Sequence, residues 1–250
     1  MEYNPFTLKG KKILVTGASG GIGKAIAIEC SKMCASVIIT GRNEQRLAET
    51  LSELNPSGSH KSIPADLGNA EGIEKIVSEI PTLQGIVHCA GVGDRTLGKM
   101  IREKDIERVM STNFNAPVLL QRALLKKKKV ENNASIVFIA SRAPFAPAVG
   151  NGLYSASKGA LIAYAKVLGL ELAPQGIRVN CINPAMVWTE FIERDAKLMD
   201  VDYTELEKAY PLKRYGKPED IAYLCVYLLS NCSQWMTGSL LDITGGANSL

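Results

Sequence analysis

Apolar and polar positions sort this chain into two alternating kinds of segment. Short, β-branched, continuously apolar runs such as Ile13-Leu14-Val15 and Ile136-Val137-Phe138-Ile139 predict strands over residues 12–16, 36–40, 60–65, 85–89, 135–140, 178–182 and 239–243. Between them, helical spacing of apolar residues predicts helices over 21–33, 44–54, 70–80, 103–127, 154–173 and 218–230. A strand that is apolar at every position must be covered on both faces, as in a parallel sheet. The alternation therefore predicts an α/β chain with a doubly wound, mostly parallel sheet of about seven strands flanked by helices. No linker or repeat interrupts it, so residues 1–250 are expected to form a single domain. The stretch 188–210 fits none of the alternation, and a helical lid inserted within 186–210 is expected.

Composition narrows the partners. Hydrophobic residues make up 46% of the chain and charged residues 22%, and the net charge of +4 is dispersed. Neither a nucleic acid nor a membrane is expected as a partner. The densest basic run, Lys126 to Lys129, suits the carboxyl end of a helix, where cations meet the negative dipole. The six cysteines form no C-x-x-C pair and mostly sit in apolar segments, as expected of reduced thiols. No metal site is expected. The first twelve residues lack the apolar core of a signal peptide, which points to the cytoplasm.

Candidate chemistry begins after the first strand, at Thr16-Gly17-Ala18-Ser19-Gly20-Gly21-Ile22-Gly23. Glycines between a strand and a helix permit a tight turn and let backbone N–H groups approach a pyrophosphate, with the helix dipole favouring the anion. Gly17, Ser19, Gly20, Gly21, Ile22 and Gly23 are thus candidate dinucleotide contacts, and the fold is expected to be of Rossmann type. The second strand ends in Gly41-Arg42-Asn43. An acidic residue there would suit the ribose 2′-hydroxyl of NAD(H), whereas Arg42 suits a 2′-phosphate, so NADP(H) is preferred and NAD(H) is second. The letters Gly17-Ala18-Ser19-Gly20-Gly21 also spell the G-x-S-x-G of a hydrolase elbow. That chemistry needs a histidine base, and only His60 and His88 are present.

Tyr154 and Lys158 are spaced i, i+4 at the start of a predicted helix and share one of its faces. An ammonium beside a phenol favours phenolate, which would let Tyr154 exchange a proton with a substrate oxygen. Ser141 follows the strand 135–140 and so lies at the carboxyl edge of the sheet, where ligands bind in open α/β sheets. With the T-G-x-x-x-G-x-G turn, Ser141, Y-x-x-x-K and Asn113, the chain resembles the short-chain dehydrogenase/reductase family along nearly its whole length. Its pattern looks most like the 3-oxoacyl-carrier-protein reductase branch. Sugar, steroid and small-ketone reductases share the same motifs.

The resemblance implies a Ser141, Tyr154 and Lys158 core with Asn113 as a fourth member. It implies that Lys158 also bonds the nicotinamide ribose, and that Asp66 and Leu67 meet the adenine. By the same resemblance Cys89, Ala90 and Gly91 line the adenosine pocket, and Pro184, Val187 and Thr189 belong to the segment that bonds the carboxamide. Two departures from the family pattern stand out: His88-Cys89-Ala90-Gly91 replaces N-N-A-G, and Pro184-Ala185 replaces P-G. Pro117 has no N–H for the carbonyl of Asn113, so either a kink frees that carbonyl to hold a water, or a new helix starts there.

Pro144, Phe145, Pro147, Val149, Leu153, Met186, Trp188 and Phe191 are expected to frame an apolar substrate pocket. Arg95 and Arg142 could meet an anionic group, but placement on the surface is expected. The helix 154–173 is apolar on most faces, so its outer side is expected to meet another copy of the chain, in a dimer or tetramer. Altogether the sequence predicts an oxidoreductase moving hydride between NADP(H) and a small-molecule carbonyl or alcohol. A non-catalytic cofactor sensor on the same fold is the alternative of another class.

Overall fold

The computed structural model describes residues 3–190, 192 and 203–247. Seven strands, β1 (Lys12–Thr16), β2 (Ser36–Gly41), β3 (Lys61–Pro64), β4 (Leu83–His88), β5 (Val130–Ile139), β6 (Arg178–Pro184) and β7 (Leu240–Ile243), form one sheet. Their order is β3-β2-β1-β4-β5-β6-β7 and every pairing is parallel. β1 lies between β2 and β4, so the chain winds away from it in both directions. A crevice opens beyond the carboxyl ends of β1 and β4, where the chain leaves these two paired strands for opposite faces of the sheet.

The continuous apolar runs are explained by cover on both faces. Leu14, Ile86, Ile136 and Phe138 pack against α3 (Ala70–Glu79), α5 (Ala116–Lys126) and α6 (Gly152–Leu172). Their neighbours Ile13, Val15, Val87 and Val137 point the other way, onto α1 (Gly21–Lys32), α2 (Glu44–Ser52) and the helix Pro218–Leu229. β5 starts at Val130, earlier than residue 135, because Val130 pairs with Leu83 before the register shifts at Gly85.

The uninterrupted helix expected over 103–127 is not what forms. α4 (Glu103–Met110) passes into a π-helical turn, Ser111–Asn115, and only then into α5. Pro117 cannot supply the N–H that would bond the Asn113 carbonyl, and the Ala116 N–H bonds to the Ser111 carbonyl five residues back. Both sequence readings of Pro117 are partly met, since the helix is deformed at Asn113 and restarts with Pro117 in its first turn.

Of the expected lid, α7 (Tyr203–Glu207) is helical, while residues 191 and 193–202, Phe191 among them, lie outside the described residues. The start of this segment is fastened: Trp188 N–H donates to the Gly216 carbonyl at 2.8 Å, and Gly216 N–H donates to the Met186 carbonyl at 3.0 Å. Trp188 Nε1 donates to Glu207 Oε2 at 2.9 Å, and Tyr210, Tyr215, Ile192 and Ala247 pack beside it. α8 is the helix Pro218–Leu229. Among the described residues no helix is long and apolar enough to cross a membrane.

Candidate active site

The glycine turn is shaped by close backbone approach. Gly17 (φ +68°) and Gly21 (φ +51°) occupy the left-handed region, where a β-carbon is disfavoured. A Cβ at Gly17 would stand 2.7 Å from Ala90 Cα, and one at Gly23 would overlap the Gly17 carbonyl oxygen. The first turn of α1 has no acidic residue, and its N-cap, Gly20, makes no side-chain cap. Its first N–H groups are thus left for an anion. Thr16 stitches this turn to the loop after β4: its Oγ1 accepts from the N–H groups of Cys89 (3.0 Å) and Ala90 (3.2 Å).

A second cluster forms on α6. Tyr154 and Lys158 lie one turn apart, with Lys158 Nζ 5.9 Å from the Tyr154 ring centre. Lys158 is buried and donates to the Ile139 carbonyl at 2.8 Å, which fixes its ammonium at the end of β5. Asn113 is fully buried, and its amide donates to the Val92 carbonyl (2.9 Å) and to Ser157 Oγ (3.0 Å). Its Oδ1 accepts the Val92 N–H at 2.8 Å. Ser157 Oγ in turn donates to the Tyr154 carbonyl at 2.7 Å, so the π-helical turn, the β4 loop and α6 are tied together. Gly91 faces this cluster; a Cβ there would sit 3.4 Å from Lys158 Nζ. Ser141 Oγ accepts from the Ala143 N–H at 3.1 Å, and Ser155 Oγ donates to the Ala143 carbonyl at 3.1 Å, which holds the serine loop against α6.

One cavity of about 580 Å³ joins the two clusters. All the predicted dinucleotide contacts, from Gly17 to Thr189, line it, as do Ser141, Tyr154 and Lys158. Asn113 does not line it but braces its wall from behind, through its bonds to Val92. The cleft fits a dinucleotide: four glycines leave the backbone of the turn open to close approach, the helix end is uncapped, and Arg42 stands exposed at the rim with no ion-pair or hydrogen-bond partner among the described residues. Thr189 packs on the turn, its Cγ2 3.2 Å from where a Gly21 Cβ would be.

Two expectations are corrected. In the loop 142–152 the large apolar residues do not line the cavity: Phe145 and Val149 are exposed, and Ala143, Ala146 and Ala148 face inward. Of the expected pocket residues that are described, only Met186 contributes to the wall. Arg142 is not a surface residue. It is largely buried, pairs with Asp242 at 2.7 Å and lies over the Phe145 ring. Arg95 is exposed, as expected. The histidine base that a Ser19 hydrolase needs is missing from the turn, because His60 bonds Val37 and Asn55, and His88 is buried beside Gln121.

The two departures in sequence have local consequences. The Ala185 N–H bonds to the end of β7, at the Ile243 carbonyl (3.0 Å), so Pro184-Ala185 keeps a fixed path. His88 stacks on Phe138 at 4.6 Å and pairs with Gln121 at 3.0 Å. Burial lowers its pKa to about 4, and burial pushes the Cys89 thiol up to about 12, leaving it protonated. Since the unfolded chain takes up a proton near pH 6.5 and the folded one only near 4, His88 stabilises the fold fully above pH 6.5 and loses that contribution as pH falls. A loss of about 2 kcal/mol by pH 5 is expected from this group. Urea unfolding at pH 7.5 and pH 5, compared with His88→Asn, checks it; an equal pH dependence in both proteins would contradict it.

A doubly wound sheet whose glycine turn and tyrosine–lysine pair share one cleft defines a nicotinamide-dependent oxidoreductase. The family model described as enoyl-(acyl carrier protein) reductase matches residues 17–248. The chain belongs to the short-chain dehydrogenase/reductase family and is an NAD(P)-dependent oxidoreductase. It is 34% identical over 237 residues to the 3-oxoacyl-[acyl-carrier-protein] reductase FabG of Rickettsia typhi, covering 95% of this chain and 96% of that enzyme. It is 31% identical to the human dehydrogenase/reductase SDR family member 4, covering 97% and 89%. Among solved structures, a short-chain glucose/ribitol dehydrogenase from Brucella melitensis superposes with a TM-score of 0.89 at 29% identity, covering 97% and 98%.

Sequence reasoning did not single out Thr16, Ser157, Arg46 or Glu190. Thr16 stood in the quoted motif without a role. Ser157 lies inside Y-x-x-x-K, where spacing alone gives no sign of its bond to Asn113.

Proposed function

We propose that this enzyme reduces the carbonyl of a 3-oxoacyl thioester with NADPH, as a single dinucleotide-binding domain whose 186–210 segment closes over the substrate. The observation that carries this reading is the Lys158 ammonium, pinned to the Ile139 carbonyl one helical turn from Tyr154, in the cavity that continues to the glycine turn. When bound, the nicotinamide supplies the hydride.

The chain's own residues do the rest. Ser141 holds the substrate oxygen by a hydrogen bond. Tyr154 gives that oxygen a proton as charge develops on it, and Lys158 favours the phenolate left behind. Lys158 also holds the ribose, and the Asn113 carbonyl, lacking a Pro117 N–H, holds a water that returns a proton towards Lys158. Gly17, Ser19, Gly20, Gly21, Ile22 and Gly23 cradle the diphosphate. Asp66, Leu67, Cys89, Ala90 and Gly91 enclose the adenosine, and Pro184, Val187 and Thr189 meet the carboxamide.

The inward alanines of loop 142–152, with Met186 and Ile192, give an apolar wall without bulk, which suits an acyl chain. NADPH oxidation against 3-oxoacyl, 2-enoyl, sugar and simple-ketone substrates tests the assignment. Fastest turnover of the 3-oxoacyl thioester is expected, and turnover confined to the 2-enoyl thioester would overturn it. Arg42 meets the 2′-phosphate. Arg42→Asp is therefore expected to shift the ratio of kcat/KM for NADPH and NADH towards NADH by about 10²-fold. An unchanged ratio would remove Arg42 from the phosphate site.

Val167 and Leu170 of α6 are exposed, which leaves an apolar outer face for a second copy of the chain in a dimer or tetramer. The six cysteines are all unpaired, in keeping with a cytoplasmic enzyme.

A further inference from the structure

We infer that Arg46 is a second cation for the 2′-phosphate, and that Glu190 is the counter-ion it exchanges for that phosphate. The inference rests on the NADP(H) reading above. Arg46 Nη2 lies 2.6 Å from Glu190 Oε2, in a pair joining the first turn of α2 to the residue after Thr189. Both line the cofactor cavity. The guanidinium lies directly over the glycine turn, where a Cβ at Gly20 would overlap Arg46 Nη2. The missing side chain at Gly20 thus leaves room for a cation that comes from another element.

The corner is shared with Arg42. Ser19 Oγ stands 3.4 Å from where a Gly41 Cβ would be, so the turn abuts the end of β2, and Arg42 follows directly. Arg46 lies one turn further on, its own backbone N–H bonded to the Asn43 cap. Two guanidinium groups thus border the place where the adenosine ribose would lie. Among the described residues, one is unpaired and the other is held by a carboxylate.

The strengths of the two pairings decide the exchange. The Glu190 side chain is 56% exposed, and such ion pairs are weak and screened by salt. A phosphate dianion carries more charge and accepts two parallel bonds from a guanidinium, so it displaces the carboxylate. Glu190 then loses its tie to α2, next to Thr189, which packs on Gly21. Binding of the 2′-phosphorylated dinucleotide is in this way coupled to the start of the 186–210 segment, and a cofactor without that phosphate leaves the pair intact.

Calorimetric titration of the whole protein with adenosine 2′,5′-bisphosphate and with 5′-AMP isolates the 2′-phosphate without any turnover. Arg46→Ala is expected to weaken bisphosphate binding about tenfold and to leave 5′-AMP within about twofold. Glu190→Gln is expected to tighten the bisphosphate severalfold, with 5′-AMP again unchanged. Unchanged bisphosphate affinity in both variants overturns the inference, and so does an equal loss of both ligands in Arg46→Ala, since that marks a support for the turn only. If Arg42→Ala abolishes selectivity while Arg46→Ala keeps it, Arg46 alone is excluded. If the wild type binds both ligands equally, the NADP(H) reading fails as well.

Discussion

Replacing Tyr154 by phenylalanine is expected to lower kcat by about 10²- to 10⁴-fold, the usual contribution of a positioned acid–base group, with NADPH affinity retained. The change removes one hydroxyl from a half-buried ring and leaves α6 otherwise as it is. The tie from Ser157 Oγ to the residue 154 carbonyl uses only backbone and persists. Lys158 remains held by the Ile139 carbonyl. Cofactor binding should therefore survive while the proton step fails. Fluorescence titration with NADPH beside steady-state rates separates the two. Rates like the wild type's would defeat the acid–base assignment, and a loss of both rate and affinity would make Tyr154 a structural residue.

The second large effect is expected from Gly23→Ala. Helix propensity alone favours the change by about 1 kcal/mol, because Gly23 lies in the first turn of α1. Sterics oppose it more strongly. The new methyl would overlap the Gly17 carbonyl oxygen and stand 3.2 Å from Ala18 Cα, so the turn must open. Overpacking of this kind costs about 1–3 kcal/mol, and the distortion falls on the N–H groups that face the anion. NADPH affinity is expected to drop about 10- to 100-fold. Gly152→Ala serves as the control, since a Cβ there meets nothing within 4 Å. Equal affinity in both variants would show that the turn does not shape the diphosphate site.

The parallel sheet was legible because strands such as β1 and β5 carry continuous apolar runs and helices alternate with them, whereas the order of the strands appears only in the fold. The cleft was legible because the glycine turn and the Tyr154–Lys158 pair are local patterns. The break in the helix 103–127 could be traced to Pro117, whose missing N–H is a property of a single residue. What escaped the sequence depends on folding. Arg46 and Glu190 are 144 positions apart and meet only because α2 and the segment after β6 flank the same turn. Arg142 is drawn inward by Asp242, 100 positions later. The loop 142–152 has no regular period, so nothing in its sequence separates the inward alanines from the outward Phe145 and Val149. The buried pair of His88 and Gln121 was hidden for a similar reason, since a histidine at a strand end gives no sign of whether it faces the cleft or the core.

The central claim is that this cleft passes hydride to a carbonyl carbon whose oxygen is held at Tyr154 and Ser141. Turnover of a 3-oxoacyl thioester with NADPH carrying deuterium at both C4 positions, followed by mass spectrometry of the product, tests it most directly. One deuterium on the carbon that bears the new hydroxyl is predicted. A hydroxyl product without deuterium at that carbon, or a label found only at the carbons of a reduced double bond, would contradict it.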